Sequence, residues 1–151
     1  MSVFLRKATI EDAEDILRWR NDPTTRANSF TKDEISLLSH VNWFKRKLED
    51  ANSHIFILMD EDQKVGNIRV DVTDGVGEIS YMIAPESRGK GYGKKIIALA
   101  EEEMRKGVSE VKTLIAFTLK DNVASGRCFE YNDYNREDTG DSFCYSKSIS
   151  E

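Results

Sequence analysis

The stretch from Glu78 to Lys106 constrains the fold most, because three different patterns follow one another within it. Glu78 to Ala84 alternates as a strand, Pro85 to Lys95 places glycines at positions 89, 91 and 93, and Gly93 to Lys106 reads as a helix with Ile96, Ile97, Ala100 and Met104 on one stripe. Arg105 and Lys106 in its last turn and Gly107 after it are stop signals. A strand that passes through a glycine-rich turn into an amphipathic helix has to lay that helix back over a sheet.

The turn also carries chemistry. Alternating glycines let the backbone fold tightly and point successive N–H groups outward, which together with a helix N-terminus makes a cradle for an anion. Arg88, Lys90, Lys94 and Lys95 crowd the positive end of that helix, where the macrodipole disfavours cations. A connector that binds nothing has no need of four cations so placed, whereas a polyanionic ligand would. It is not a Walker loop, because Ile96 rather than Ser or Thr follows Lys95. It is not a dinucleotide fingerprint either, because counting from Gly89 and Gly91 the third glycine place holds Lys94.

Around this segment the chain reads as one domain, residues 1–151. Val3 to Ala8 is a short strand, and Thr9 with Asp12 opens a helix carrying Ala13, Ile16, Leu17 and Trp19, which Asn21, Asp22 and Pro23 end. A second helix is expected from Thr31, with Leu37, Val41, Phe44 and Leu48 facing the core. His54 to Asp60, Val65 to Val72 and Glu78 to Ala84 are strands separated only by Asp60-Glu61-Asp62 and Asp74-Gly75, so they predict an antiparallel meander. Val111 to Leu119 is a strand, Asp121 to about Tyr131 a helix, and Tyr134 to Ile149 a hairpin turning at Gly140 and Asp141. The expected class is α/β of the mixed α+β kind, a mainly antiparallel sheet flanked by helices.

Composition excludes several functions. With 22 Lys and Arg against 27 Asp and Glu the formal net charge is -5, which argues against a general nucleic-acid binder. No apolar run approaches the roughly 20 residues of a membrane span, and the start does not read as a signal peptide. Cys128 and Cys144 are the only cysteines, so the expected setting is the reducing cytoplasm, with both thiols packing. With two histidines and two lone cysteines, no metal site is expected.

Arg88, Gly91 and Gly93, read as Arg-x-x-Gly-x-Gly after the strand Glu78 to Ile83, resemble the acetyl-CoA signature of the GCN5-related (GNAT) N-acetyltransferases. The resemblance extends over most of the chain and includes a second element, the helix opening Asn122-Val123-Ala124-Ser125. It implies that the N–H groups of Gly89, Lys90, Gly91, Tyr92, Gly93 and Lys94 hold the pyrophosphate of CoA, with Arg88 and Lys90 near its charge. The pantetheine arm would pair like an added strand with the backbone of Met82 and Ile83, filling a gap between this strand and Val111 to Leu119. Asn122 and Ser125 would meet the arm there.

Acetyl transfer to an amine needs a base, an oxyanion donor and a way for the thiolate to leave. By resemblance the base is Glu78, whose other reading is a solvated strand end, and the donor is the N–H of Met82 or Ile83. Where relatives often carry a tyrosine as general acid, this chain has Phe129. Either Tyr131, two positions on, reaches inward, or solvent protonates a thiolate whose ordinary pKa of ~8.5 makes it a tolerable leaving group.

The acceptor is expected to be a small-molecule amine. Arg18 to Pro23 and His40-x-x-Trp43-Phe44 resemble two branches, one acetylating nucleotide-linked amino sugars and the other the N-termini of ribosomal proteins. The second string leans to the amino sugar, with Arg20, His40 and Trp43 as substrate-binding candidates. The bland reading of His40 and Trp43 is a helix-surface histidine beside a half-buried tryptophan. A CoA-binding module without turnover is the non-enzymatic alternative, and the chain is expected as a monomer or homodimer.

Overall fold

The computed structural model describes residues 2–107 and 110–150. Strand β1 (Val3–Lys7) leads through a 3-10 turn into α1 (Ala13–Arg20), followed by α2 (Pro23–Ala27) and α3 (Leu37–Glu49). The meander is β2 (Ser53–Asp60), β3 (Gln63–Thr73) and β4 (Val76–Ile83). Then come α4 (Tyr92–Gly107), β5 (Thr113–Leu119), α5 (Val123–Tyr131) and the hairpin β6 (Asn135–Asp138) and β7 (Ser142–Ser148). The seven strands lie in the order β1-β2-β3-β4-β5-β7-β6, and every neighbouring pair is antiparallel except β4 with β5. This is the mixed, mainly antiparallel sheet that the pattern of elements predicts.

Both faces of the sheet are covered at β2, so that strand is almost continuously apolar. Phe56 and Leu58 join a core beneath α4 that includes Ile68, Val70, Ile96, Ile97, Ala100, Met104 and Leu114. Ile55, Ile57 and Met59 point the other way and pack with Ala13, Ile16, Trp19 and Phe44 from α1 and α3. The stripe expected on α4 is fully buried.

Three features of the N-terminal half differ from expectation. Pro23 does not simply end α1 but opens α2, whose first N–H groups, of Thr24 and Thr25, both donate to Asp22 Oδ2 at 3.1 Å. The second helix starts at Leu37 rather than Thr31. Asn21 grips Ile35 at both ends, donating to its carbonyl at 2.8 Å and accepting from its N–H at 2.8 Å, so Ile35 has no main-chain groups left for a helix. Ser36 then caps α3 through the N–H of Ser39. The buried face of α3 is His40 and Phe44, with Val41, Trp43 and Leu48 packed beside them, while Leu37 is exposed.

The joint between β4 and β5 positions the site. Their pairing covers only Val76 with Thr113, Gly77 with Leu114 and Glu78 with Ile115. Beyond Glu78 the two strands part, as the family resemblance implies.

Candidate functional site

Gly89 and Gly91 both adopt left-handed backbone, φ +77° and +83°, and a Cβ at either place would touch nothing within 4 Å. The demand for glycine there is conformational rather than steric. α4 begins at once, and its first N–H groups have no partner within the helix. Tyr92 turns its side chain into the core and donates its hydroxyl to Asp60 Oδ2, pinning α4 to the end of β2. A Cβ on Gly93 would lie 2.7 Å from Cys128 Sγ, so glycine is what lets α4 approach α5. Lys90, Lys94 and Lys95 are exposed around the loop.

Arg88 does not stand over the loop. Its Nη2 donates to Asp22 Oδ2 at 2.8 Å and to Thr25 Oγ1 at 2.9 Å, tying the loop to the start of α2. This guanidinium holds the Asp22 carboxyl below its ordinary pKa.

Ala84 N–H donates to Val65 O at 2.8 Å. Because bonds in an antiparallel ladder alternate, Met82 also turns its N–H toward β3, opposite Asn67, and Tyr81 and Ile83 turn theirs toward the gap. Of the two oxyanion candidates, Ile83 is the one whose amide turns away from β3, while Met82 is the one whose residue lines the cavity.

A cavity of about 430 Å³ occupies the gap and is lined by residues from both faces of the sheet. On the α5 side it is lined by Tyr81, Asn122, Ser125 and Phe129. Asn122 caps α5 through the N–H of Ser125, and the Ser125 hydroxyl lies 3.0 Å from that of Tyr81. Burial pushes the Tyr81 phenol far above its ordinary pKa, so it stays protonated. Phe129 is buried, whereas Tyr131 is 66% exposed, outside the cavity, with the Lys94 ammonium 4.6 Å from its ring centre. Two positions along a helix turn a side chain by roughly 200°, which is why Tyr131 cannot replace the residue at 129.

The opposite side is lined by Arg20, Trp43, Asn67 and Arg69. The guanidinium carbons of Arg20 and Arg69 lie 4.6 and 4.9 Å from the Trp43 ring centre. His40 is fully buried behind them, not on the helix surface. Its Nε2 donates to Ala13 O at 2.8 Å, which leaves Nδ1 to accept from Arg20 Nη1 at 2.9 Å. His40 therefore positions Arg20 and does not line the cavity.

Burial, with Arg20 adding to it, holds the His40 pKa below its ordinary value. A base depressed in the folded state contributes its full stability above its unfolded pKa of ~6.5 and loses it as the pH falls below that value. Chemical denaturation midpoints should therefore drop between pH 7 and 5.5, and His40→Gln should flatten that slope. A wild-type midpoint independent of pH over this range would contradict the buried neutral imidazole.

Glu78 lies on the acceptor-side face of β4, opposite Asp71, is exposed and does not line the cavity. At ~3.3 Å per residue it stands roughly 13 Å along the strand from Met82, within reach only through a chain of several waters. Several residues that line the cavity escaped the reading of the sequence. Asn67 and Arg69 alternate with Ile68 and Val70 as a solvent-facing set would, and nothing in that alternation shows that α1 and α3 roof one end of the face. Asn67 Oδ1 and Thr118 Oγ1 are buried, line the cavity and have no hydrogen-bond partner among the described residues. Among the described residues no cluster of His, Cys, Asp and Glu is placed to hold a metal ion, and no helix is long and apolar enough to cross a membrane.

Residues 2–135 match the family model of the acetyltransferase (GNAT) domain. No curated protein sequence matches the chain. Among solved structures, a domain from Methanocaldococcus jannaschii shares 22% identity with a TM-score of 0.85, over 98% of this chain and 99% of that one. An aminoglycoside acetyltransferase in complex with coenzyme A and kanamycin shares 20% identity with a TM-score of 0.84, over 98% and 95%. Spermidine N-acetyltransferase from Vibrio cholerae, in complex with CoA and spermine, shares 16% identity with a TM-score of 0.86, over 97% and 95%. At these identities the likeness is one of fold.

Proposed function

The chain belongs to the GNAT acetyltransferase family and is an acetyl-CoA-dependent N-acetyltransferase, and we propose that its acceptor is a nucleotide-linked amino sugar. The observation that carries the reading is the cavity in the gap between β4 and β5, lined by Asn122, Ser125 and Phe129 on one side and by Arg20 and Trp43 on the other. One side suits a phosphorylated thioester and the other a separate acceptor, with their meeting point inside the sheet.

In this reading the amides from Gly89 to Lys94 hold the pyrophosphate, Lys90 and Lys94 supply charge, and Arg88 fixes the loop against α2. The pantetheine arm takes the place of the missing ladder beside Tyr81 and Ile83, next to Asn122 and Ser125. Glu78 accepts the amine proton through water, and the neutral amine attacks the thioester carbonyl. The Ile83 N–H steadies the oxyanion as the C–N bond forms. The C–S bond then breaks, the amide nitrogen sheds its extra proton to solvent, and the thiolate takes one up.

Phe129 cannot assist that departure, but the Tyr81 phenol lines the same side of the cavity and, kept protonated by its burial, can steady the departing thiolate by donating a hydrogen bond while solvent supplies the proton. Tyr81→Phe should lower kcat by roughly tenfold to a hundredfold while leaving the acetyl-CoA-induced rise in Tm intact. An unchanged kcat would show that the thiolate leaves without that hydrogen bond.

A protein N-terminus is the second reading, favoured by the exposed Phe30 at the cavity mouth, which an extended peptide would cover. The test is acetyl-CoA-dependent thiol release with a UDP-linked amino sugar and with a ribosomal-protein N-terminal peptide. Release with the sugar nucleotide alone supports the proposal, and release with the peptide alone overturns it. Acetyl-CoA binding without release on any amine would point to a module that only binds.

A further inference from the structure

The acceptor half of the cavity carries its charge in an unexpected sense for an enzyme that acts on amines. On the reading that this half takes the acceptor, we propose that Arg20 and Arg69, held against Trp43, form a receptor for an anionic group on the acceptor, a carboxylate or a phosphate.

The two guanidiniums are both drawn to one indole, 4.6 and 4.9 Å from its centre. Among the described residues Arg20 pairs with no carboxylate; its one side-chain partner is the neutral Nδ1 of His40. Arg69 gives its Nε to Asp71 at 2.8 Å, but that carboxylate is shared with Lys47 and with the Ser53 hydroxyl. The Arg69 Nη2 has only a long contact to Ser80 at 3.5 Å. Burial and the neighbouring Arg69 both work against the charge on Arg20. Two cations gathered at one indole in a half-buried pocket repel each other, and an anion bound beside them reduces that cost while using the guanidinium forks that suit carboxylate and phosphate.

The opposite end of the same face has the complementary feature. Asn67 precedes Arg69 by two residues on β3, roughly 7 Å away, and its buried Oδ1, beside the gap, lacks a partner among the described residues. A carboxamide oxygen accepts from an amine and does not serve an anion. The acceptor thus has its amine at Asn67, next to the thioester, and its anion about one side chain farther out at Arg69 and Arg20. A polycation would meet two guanidiniums on this path, with Asp33 as the acidic residue at the rim and Asp71 already engaged.

Matched pairs of acceptors test the assignment: glucosamine 6-phosphate against glucosamine, and alanine against alaninamide, each in thiol-release kinetics. At least one anionic member should exceed its neutral partner tenfold or more in kcat/KM, and the pair that does so tells phosphate from carboxylate. Arg20→Gln and Arg69→Gln should each erase that preference through KM, with the acetyl-CoA-induced rise in Tm retained as proof of fold and cofactor site. Equal or better use of the neutral member in both pairs, or a preference that survives both substitutions, overturns the assignment. If no amine of the panel turns over, fluorescence titration of the CoA complex with the two anionic compounds decides. Trp19 is buried, so a change reports on Trp43, and no change up to 20 mM overturns the receptor. A missing response to acetyl-CoA itself would instead overturn the enzymatic reading.

Discussion

Gly91→Val should weaken acetyl-CoA binding by about tenfold or more and leave the unliganded fold nearly as stable as before. At φ +83° a β-branched residue is badly placed, and strain of this kind costs on the order of 1–3 kcal/mol. The loop avoids that cost by changing its backbone, which is easy because it is exposed and no atom lies where the new Cβ would go. The change re-aims the N–H groups that lead into α4, and about 1.4 kcal/mol of lost contact already gives the tenfold weakening. Gly107→Ala is the control, since Gly107 also has open space around it but no left-handed φ. Calorimetry that finds equal acetyl-CoA affinity in Gly91→Val would remove the loop amides from the cofactor site.

Asp12→Ala should be the most destabilising of the substitutions considered, by about 3 kcal/mol, or roughly 10 °C in Tm. The Asp12 side chain is 1% exposed and accepts from Arg6 at 2.9 and 2.8 Å, from Lys64 at 2.7 Å and from the Thr9 N–H at 2.9 Å. It joins β1, β3 and the start of α1 in one contact, so its removal leaves two cations facing each other and frees the entry to the helix. These partners hold its carboxyl well below the usual range and outweigh the opposing effect of burial. A depressed acid contributes stability above its unfolded pKa of ~3.9 and loses it as the pH falls toward the folded value, so the gap between wild type and variant should narrow in acid. A loss below about 1 kcal/mol at pH 7 would show that the cluster is an ordinary surface ion pair.

The elements that were legible in the sequence are those whose signals are local. The meander follows from tight turns at Asp60-Glu61-Asp62 and Asp74-Gly75, and α4 from one unbroken apolar stripe closed by Gly107. Thr9 and Asp12 mark the first helix because both ends of that capping contact lie within four residues. What was missed depends on partners far along the chain. Ile35 is kept out of α3 by the side chain of Asn21, and Arg88 is drawn from the loop by Asp22, 66 residues earlier.

The site divides in the same way. The glycine loop could be read because its requirement is conformational and printed in residue types. The face of β3 could not: alternation says that Asn67, Arg69 and Asp71 share one side, not whether water or α1 and α3 cover it. Nor does any residue type announce where β4 and β5 stop pairing, yet that break after Glu78 creates the cavity. Tyr81 reads as one more strand aromatic until its hydroxyl is seen against Ser125 beside Phe129.

The most direct test of the account is amide hydrogen exchange with and without acetyl-CoA. Tyr81 and Ile83 turn their N–H groups into the gap, so both should become strongly protected when the thioester occupies it, while Met82, already facing β3, should change little. Unaltered exchange at Tyr81 and Ile83 in a complex saturated with acetyl-CoA would contradict the placement of the cofactor between β4 and β5.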